Sequence, residues 1–337
     1  MTQTIRLGIL GVAHDHIYSY AAVAQTLPSV EIIGLADHDA ACARSAATRI
    51  GAPVLPDADA LLDLVPDAVI VCSENAYHAP LVLQAAPRVP YILCEKPIAT
   101  TEDDALAMIR CCQENGAQLQ IAFPVRHSPP IQRLRALLVA GELGQVYSVK
   151  CTNHGGNPGG WFTHPALAGG GAVMDHTVHV IDLLRWFWQT EVIEVFAEIG
   201  VGLLHPGLAI DDVGLLTFSL ANGVYGSLDT SWSRPPAYPT WGDVTIEVVG
   251  ARGTLTVDAF HQHLLVTASA WGKSRRVLWG SDMDRGLITE FVDLVRQGAP
   301  ATITGADGLA ALRVALAAYA SARGGAPVEL PHAIPAD

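Results

Sequence analysis

Residues 5–37 read IRLGILGVAHDHIYSYAAVAQTLPSVEIIGLAD, and this stretch decides the fold. It begins with an apolar, β-branched run, Ile5–Leu10, and closes with another, Val30–Ala36. Between them a glycine-containing turn leads into Ile17–Leu27, an apolar-rich segment of helical length. A strand, a helix and a second strand in this order form a β-α-β unit in which the two strands run parallel.

The same alternation of strands and helices continues to about Pro124. Further strands are predicted at Ala68–Cys72, Tyr91–Cys94 and Gln118–Phe123, and further helices at Ala40–Ile50, His78–Ala86 and Thr101–Asn115. This order favours an α/β fold with a doubly wound parallel sheet, which we assign to residues 1–124. Ligands bind such sheets beyond the carboxyl ends of the strands. Four segments therefore share one edge, namely Gly11–His16, Asp37, Cys72–His78 and Glu95–Pro97.

The pattern changes after Pro124, and residues 125–337 are predicted to form a second, α+β domain. Alternating runs predict strands at Val146–Thr152, Val192–Gly200, Val213–Ser219, Gly223–Trp232, Asp243–Val249 and Thr254–Asp258. Asn222-Gly223 and Gly250–Gly253 have the composition of hairpin turns, so we expect a mostly antiparallel sheet. Helices are predicted at Pro130–Ala140, Ala172–Trp188, Met283–Arg296 and Gly305–Arg323.

Composition excludes several classes of function. Half of the 337 residues are hydrophobic, 16% are charged, and the net charge is −13, which disfavours a nucleic-acid partner. Apolar runs are interrupted well before the roughly 20 residues that a membrane span needs, and no signal-peptide pattern is present. We therefore expect a cytoplasmic protein without a membrane partner. The six cysteines lack paired CxxC spacing and are predicted to be reduced.

The turn after the first strand is a weak dinucleotide fingerprint. Against the pattern GxGxxG, only Gly11 matches, while Ala13 and His16 take the second and third glycine positions. We predict that Gly11, Ala13, His14 and His16 bind a cofactor; the alternative is a polar helix start whose histidines face water. Asp37 ends the second strand where a carboxylate would bind the ribose hydroxyls and repel a 2′-phosphate, so NAD is favoured over NADP. The alternative is that Asp37 only caps the next helix.

Residues 169–182, GGGAVMDHTVHVID, place a carboxylate and an imidazole four residues apart. On a helix, Asp175 and His179 share one face, and such a pair supplies a base together with a group that orients it. Both are catalytic candidates. The alternative is a glycine loop followed by polar residues that cap and solvate a helix.

Several motifs, taken in order, resemble the glucose-fructose oxidoreductase, inositol dehydrogenase and MocA family. The resemblance covers nearly the whole chain. Its marks are Glu95-Lys96-Pro97, the segment 72–78 (CSENAYH, similar to ATPNxxH) and GGGAVMDHTVHVID, similar to GGGxLxDxGxHxxD. It implies a Rossmann domain for NAD(P), a second domain whose open sheet mediates homodimers or homotetramers, and a usually cis Lys96-Pro97 bond.

The resemblance also implies oxidation of a secondary alcohol on a sugar, cyclitol, polyol or glycoside. Lys96 matches the family's active-site lysine, and Asp175 and His179 match its aspartate and histidine. We hypothesise that His179 takes the hydroxyl proton, Asp175 stabilises the imidazolium and Lys96 stabilises the alkoxide. The shared edge adds the cofactor candidates Cys72, Ser73, Asn75, His78, Glu95 and Lys96.

Substrate contacts are predicted at Arg126, Asn153, Trp161 and His176, which combine hydrogen-bonding groups with an aromatic face. Trp161 could equally be core packing. The extra histidines could form a metal site, but there is no sequence-local ligand pattern, and no metal is predicted. Two alternatives stay open: an enzyme that cycles a tightly bound NAD within one turnover, and a sensor or regulatory subunit that binds NAD(H) without turnover.

Overall fold

A parallel sheet forms the first half of the protein in a computed structural model that describes residues 4–269, 272–278 and 282–331. Its strands are β1 (Ile5–Leu10), β2 (Val30–Ala36), β3 (Ala68–Val71), β4 (Tyr91–Cys94) and β5 (Gln118–Ile121). They are arranged in the order β2-β1-β3-β4-β5, and every neighbouring pair is parallel. The predicted α/β class with a doubly wound parallel sheet is confirmed.

Five helices cover this sheet, and four of them follow the predicted bounds within two residues. They are α1 (His16–Thr26), α2 (Ala40–Ile50), α3 (Ala58–Leu62), α4 (His78–Ala85) and α5 (Glu102–Asn115). Polar caps explain the sharp starts, since Asp39 accepts hydrogen bonds at the start of α2 and Thr101 does so for α5. The short α3 was not predicted, because five residues carry too little periodicity.

A second sheet of seven strands forms most of the other half. In chain order its strands are β6 (Val146–Thr152), β7 (Val192–Val201), β8 (Asp211–Leu220), β9 (Tyr225–Asp229), β10 (Thr245–Gly250), β11 (Gly253–Asp258) and β14 (Val328–Glu329). Their order is β11-β10-β6-β9-β8-β7-β14, and only the β6 and β9 pair is parallel. The mostly antiparallel sheet and both hairpin turns are confirmed.

The predicted strand Gly223–Trp232 is too long, and the difference bears on function. In the structure β9 ends at Asp229, although the N–H groups of Thr230 and Trp232 still donate to the carbonyls of Gly214 and Asp212 in β8. Thr230 and Trp232 there make hydrogen bonds to side chains of the helix that carries Asp175. The apolar pattern alone cannot show where a strand bends towards another element.

The remaining helices connect the two sheets. They are α6 (Pro129–Val139), α7 (Pro165–Ala168), α8 (Ala172–Trp188), α9 (Met283–Gln297) and α10 (Gly305–Gly324); a separate hairpin comprises β12 (His263–Ala268) and β13 (Lys273–Leu278). Helix α8 is almost wholly buried and contacts α10 and β8.

Helix α9 returns to the first sheet, where Leu287, Ile288, Phe291 and Val292 join the core around β1 and α1. Helix α9 thus belongs to the second segment of the sequence but packs on the first sheet. The division of the chain into residues 1–124 and 125–337 stays a prediction. Among the described residues, no helix has the length and apolar character required to cross a bilayer.

Candidate active site

The start of α8 is fixed by a carboxylate from β8. Asp211 accepts hydrogen bonds from the backbone N–H groups of Gly171 and Val173, each at 2.8 Å, and from the hydroxyl of Tyr319 at 2.8 Å. A Cβ at residue 171 would lie 2.0 Å from the carbonyl oxygen of Asp211, so only glycine allows this approach. This cap sets the position of the helix turn that carries Asp175.

Lys96 reaches the same turn from the first sheet. It follows β4, and the Lys96-Pro97 bond is cis, as the family resemblance implies. Its Nζ lies 2.7 Å from Oδ1 of Asp175 and 3.3 Å from the Asp175 carbonyl oxygen. Burial opposes ionisation of Asp175, but Lys96 and then His176 outweigh it and hold the pKa of this carboxyl well below its ordinary value. The structure thus brings Lys96 and Asp175 together as a buried ion pair.

The second carboxylate oxygen of Asp175 faces the core rather than His179. Oδ2 accepts a hydrogen bond from Nε1 of Trp232 at 3.3 Å and lies 3.2 Å from Nε2 of His176. Within the described part of the chain, Nδ1 of His179 is buried without a hydrogen-bond partner. Lys96, Trp232 and His176 thus occupy the carboxylate of Asp175, and the structure shows no hydrogen bond between Asp175 and His179 in the described part of the chain.

His179 nevertheless lies in the electrostatic field of this cluster. Burial, and after it the charge of Lys96, lowers the pKa of His179 well below its ordinary value, whereas Asp175 raises it. The imidazole is therefore neutral at pH 7 and has a free lone pair, which is the state that a general base requires.

A buried Glu95 organises the turn after β1. Its Oε1 lies 3.0 Å from Nδ1 of His16, its Oε2 accepts the N–H of Lys96, and the Tyr20 hydroxyl lies 3.3 Å from the same His16 nitrogen. Burial opposes the charge on His16, but Glu95 outweighs it and raises the pKa of the imidazole. Burial and then His16 lower the pKa of His14 to about 3. His16 is thus an ion-pair partner of Glu95, and its side chain is 36% exposed to solvent.

The turn also contains a group of three residues with metal-ligand atoms, His14, Cys72 and Glu95, whose atoms lie within 4.8 Å of one another. Each is already engaged. His14 Nδ1 accepts the N–H of His16, the Cys72 thiol donates to the His14 carbonyl at 3.6 Å, and Glu95 has the partners given above. These contacts favour a protein-only network, and the absence of a bound metal stays a prediction.

The cofactor edge has the expected geometry at Gly11 and Asp37. Gly11 has φ +79°, and a Cβ there would lie 2.4 Å from Cβ of Ser73. Asp37 accepts the N–H of Val12 at 2.7 Å and that of Asp39 at 2.7 Å, so the carboxylate is held against the turn that contains Ala13. A cavity of about 410 Å³ opens beside it, with lining residues that include Gly11, Asp37, His38, Tyr77 and Gln84.

Two of the predicted cofactor residues have structural contacts instead. His78 is fully buried, with ring nitrogens 2.9 Å from the carbonyl oxygen of Pro97 and 3.3 Å from that of Ser73. It supports the loop that carries Lys96. Asn75 donates to the carbonyl of Ala168 across the two halves at 2.9 Å, while its Oδ1 is buried without a partner among the described residues.

The substrate prediction for Arg126 is corrected by its contacts. The guanidinium is buried and donates to both oxygens of Asp182, at 2.7 and 2.6 Å, and Asp307 lies 3.5 Å away. Because the guanidinium donates both of these hydrogen bonds to Asp182, it anchors the middle of α8 and has few N–H groups left to bind a ligand. The sequence marked Arg126 as a cation close to the site but could not show its partner.

The other three substrate candidates lie around the cluster. Nδ1 of His176 donates to the Thr230 carbonyl at 2.8 Å, and Trp161 donates from Nε1 to the Ala13 carbonyl at 3.0 Å. Trp161 also stacks on Phe162. Its hydrogen bond to Ala13 joins the second half of the chain to the cofactor turn. Asn153 is buried and donates to the Asp243 carbonyl, and its Oδ1 has no partner within the described residues.

Sequence reasoning missed a second polar cluster beside the site. His154 lies 3.1 Å from Asp229 and 3.1 Å from Asp243, and Arg234 also contacts Asp243. Burial opposes the charge on His154, but the two carboxylates outweigh it and raise its pKa to about 9. The residues are far apart in the chain, so only the neighbouring ends of β6, β9 and β10 reveal the group.

Comparison with known proteins agrees with this geometry. Residues 5–123 match the model of an oxidoreductase family with an NAD-binding Rossmann fold, and residues 131–256 match the GFO/IDH/MocA C-terminal domain. The chain belongs to the GFO/IDH/MocA oxidoreductases. The family resemblance predicted from the motifs is thereby confirmed, and the first sheet is an NAD-binding Rossmann domain.

Other GFO/IDH/MocA proteins match along most of their length. The inositol 2-dehydrogenase of Rubrobacter xylanophilus is 30% identical, over 89% of this chain and 86% of that protein. The scyllo-inositol 2-dehydrogenase (NAD(+)) of Bacillus subtilis is 25% identical, over 98% and 97%. The structure of GenD2 from gentamicin A biosynthesis, in complex with NAD, has a TM-score of 0.85 at 26% identity and covers 98% of this chain and 97% of its own.

Proposed function

We propose that this protein is an NAD-dependent dehydrogenase that oxidises a secondary alcohol of a sugar, cyclitol, polyol or glycoside. The observation that carries the proposal is the buried Lys96 and Asp175 pair with the neutral His179 one helix turn away. The inositol dehydrogenases among its relatives support the substrate class. A non-catalytic sensor would not need an ammonium group and a base buried together.

NAD fits the residues present at the strand ends. Gly11 provides a close approach to the backbone, and the Asp37 carboxylate at the cavity of about 410 Å³ suits ribose hydroxyls. Among the described residues, no lysine or arginine lines that cavity, so a 2′-phosphate would meet Asp37 without a compensating cation. We therefore favour NAD over NADP.

The residues of this chain divide the chemistry as follows. NAD held at Gly11 and Asp37 would supply the hydride acceptor for the alcohol carbon. Neutral His179 accepts the hydroxyl proton, and the Lys96 ammonium stabilises the negative charge that develops on the substrate oxygen. Asp175 holds Lys96 by its Oδ1 and favours protonated His179 through the field rather than by direct contact. Asn153 and Trp161 are proposed to contact the substrate.

An initial-rate screen with NAD⁺ and, separately, NADP⁺ tests this function on myo-inositol, scyllo-inositol, levoglucosan and common monosaccharides. His179→Ala should lower turnover by about 10²- to 10⁴-fold and leave the affinity for NADH unchanged, because only the base is removed. His164→Ala, at an exposed histidine, is the matched control. Unchanged turnover in His179→Ala would refute the assignment, and NADH binding without turnover of any alcohol would favour a sensor.

The second sheet is proposed to mediate a homodimer or homotetramer. Strand alternation places Leu215, Tyr225 and Val249 on the face that points away from α8, and all three are exposed. Sedimentation of the purified protein tests this, and Leu215→Lys should shift the particle to a smaller size. A wild-type monomer at micromolar concentration would refute it.

A further inference from the structure

His176 has no part in the chemistry proposed above, yet it is buried against the carboxylate that holds Lys96. Nδ1 lies 2.8 Å from the carbonyl oxygen of Thr230, and Nε2 lies 3.2 Å from Oδ2 of Asp175. Gly155 covers the ring so closely that a Cβ there would lie 2.7 Å from Cε1. The imidazole is therefore held between two acceptors.

These two contacts make opposite demands on a neutral ring. A carbonyl oxygen only accepts, so the contact with Thr230 requires a proton on Nδ1. The neutral ring then has a lone pair on Nε2, and this lone pair faces the carboxylate of Asp175, which also only accepts. His176 and Asp175 attract each other as an ion pair only when the ring gains a second proton.

The charged groups around the His176 imidazole determine at which pH it gains the second proton. Asp175 favours the protonated ring, whereas Lys96 on the loop after β4 and His154 beyond β6 disfavour it. His179, on the next turn of α8, interacts electrostatically with His176 as well. Burial is the largest influence and lowers the pKa of His176, so the ring is neutral at pH 7 and gains its second proton only at a pH below the ordinary histidine pKa.

We propose that His176 is a positioning residue that acts through Asp175 and sets how much of the Lys96 charge reaches the substrate oxygen. A protonated ring forms an ion pair with the carboxylate and draws its charge away from Lys96. The ammonium group then polarises a carbonyl oxygen more strongly. This inference rests on the proposed function, and its consequence is that reduction of the ketone gains rate as His176 is protonated.

Two substitutions separate the two contacts of the ring. His176→Asn retains a group that can donate to Thr230 and removes the one that faces Asp175. His176→Gln can place an N–H donor near Oδ2 that does not titrate. We expect His176→Asn to reduce the ketone about 10- to 100-fold more slowly at low pH, the range expected for a lost hydrogen bond to a charged group. His176→Gln should keep the low-pH rate and retain only the pH dependence that comes from His179.

Nitrogen-15 NMR of histidine-labelled protein without cofactor tests the protonation states directly. At pH 7.5 His176 should be the neutral Nδ1–H tautomer and gain a second proton on acidification, and its signals should be missing in His176→Asn. His164→Asn, at an exposed position, should leave them in place. An Nε2–H tautomer at pH 7.5, or a ring that takes up no second proton while the protein remains folded, would overturn the proposal.

The pH profile of ketone reduction, measured on the product of the best alcohol in the screen, tests the consequence. The wild-type profile should contain two ionisations, that of His179, which supplies the proton, and that of His176. Only the ionisation of His179 should remain in His176→Asn and in His176→Gln. A profile in His176→Asn that keeps the wild-type shape and differs by a constant factor would mean a purely structural role and would overturn the proposal. If no alcohol is oxidised, the proposed function fails, and the NMR result alone decides the inference.

Discussion

Asp211 is predicted to support catalysis without touching the substrate, because its carboxylate caps the helix that carries Asp175 and His179. The test is Asp211→Asn. The amide can keep one oxygen for Gly171 and Tyr319, but it places an NH₂ group where Oδ2 accepts the N–H of Val173 at 2.8 Å. The buried NH₂ group of the amide would then face the N–H of Val173, and neither donor would have an acceptor.

The magnitude follows from that one contact. Loss of a buried hydrogen bond to a charged group costs about 1.5 to 3 kcal/mol. For a domain of 150 to 250 residues this corresponds to a fall of roughly 3 to 12 °C in the unfolding midpoint. Because the loosened turn carries Asp175, kcat should fall as well. Scanning calorimetry and initial rates on the same preparations measure both quantities.

Asp212 provides a matched control on the same strand. It accepts the backbone N–H groups of Leu203, Leu204 and His205, between 2.7 and 3.0 Å, and these lie in the loop between β7 and β8 rather than in α8. Asp212→Asn should therefore lower the unfolding midpoint and leave kcat unchanged. If Asp211→Asn leaves both quantities at their wild-type values, or if the two variants lose kcat equally, the capping argument is refuted.

Three further outcomes are expected. Asp37→Ser should weaken NADH binding and strengthen NADPH binding by roughly tenfold each in calorimetric titrations. Asp39→Ser, at the start of α2, is the control and should not change the preference for NADH over NADPH. Equal preference in all three proteins would contradict the role of the Asp37 carboxylate. The folded-state pKa of His154 is raised from 6.5 to about 9, so its stabilising contribution is complete below pH 6.5 and is lost as the pH rises through 9. His154→Gln should flatten this part of the curve of unfolding midpoint against pH. An unaltered slope would argue against the stabilising role of His154. Exhaustive chelation should leave turnover unchanged, since the ligand atoms of His14, Cys72 and Glu95 already have protein partners; loss of activity that zinc restores would disprove this.

The first sheet was predictable because local signals agree with one another. Short β-branched runs, intervening amphipathic segments and capping residues such as Asp39 and Thr101 lie within a few residues of the elements they define. Errors occur at ends such as that of β9, where Thr230 and Trp232 make hydrogen bonds to side chains of α8. A tertiary contact there overrides the alternating pattern.

The candidate site was predictable as a set of residues but not as a set of contacts. Motif order predicted Lys96, Asp175 and His179 together, but it did not predict that Asp175 would be hydrogen-bonded to Lys96. Four-residue spacing places two side chains on one face of a helix, but a carboxylate binds the strongest donor within reach. That donor is Lys96, which lies 79 residues away in the chain.

The sequence by itself determined the α/β class, the family, the dinucleotide edge and the identity of the catalytic candidates, because each depends on neighbouring residues or on a fixed spacing. Only the tertiary structure decided that Arg126 is bound to Asp182, that Asp211 caps α8, and that His176 is held between Thr230 and Asp175. Hydrogen bonds and ion pairs join atoms a few ångströms apart, whatever their separation in the chain. Their partners are therefore fixed only when the two sheets and α8 are assembled.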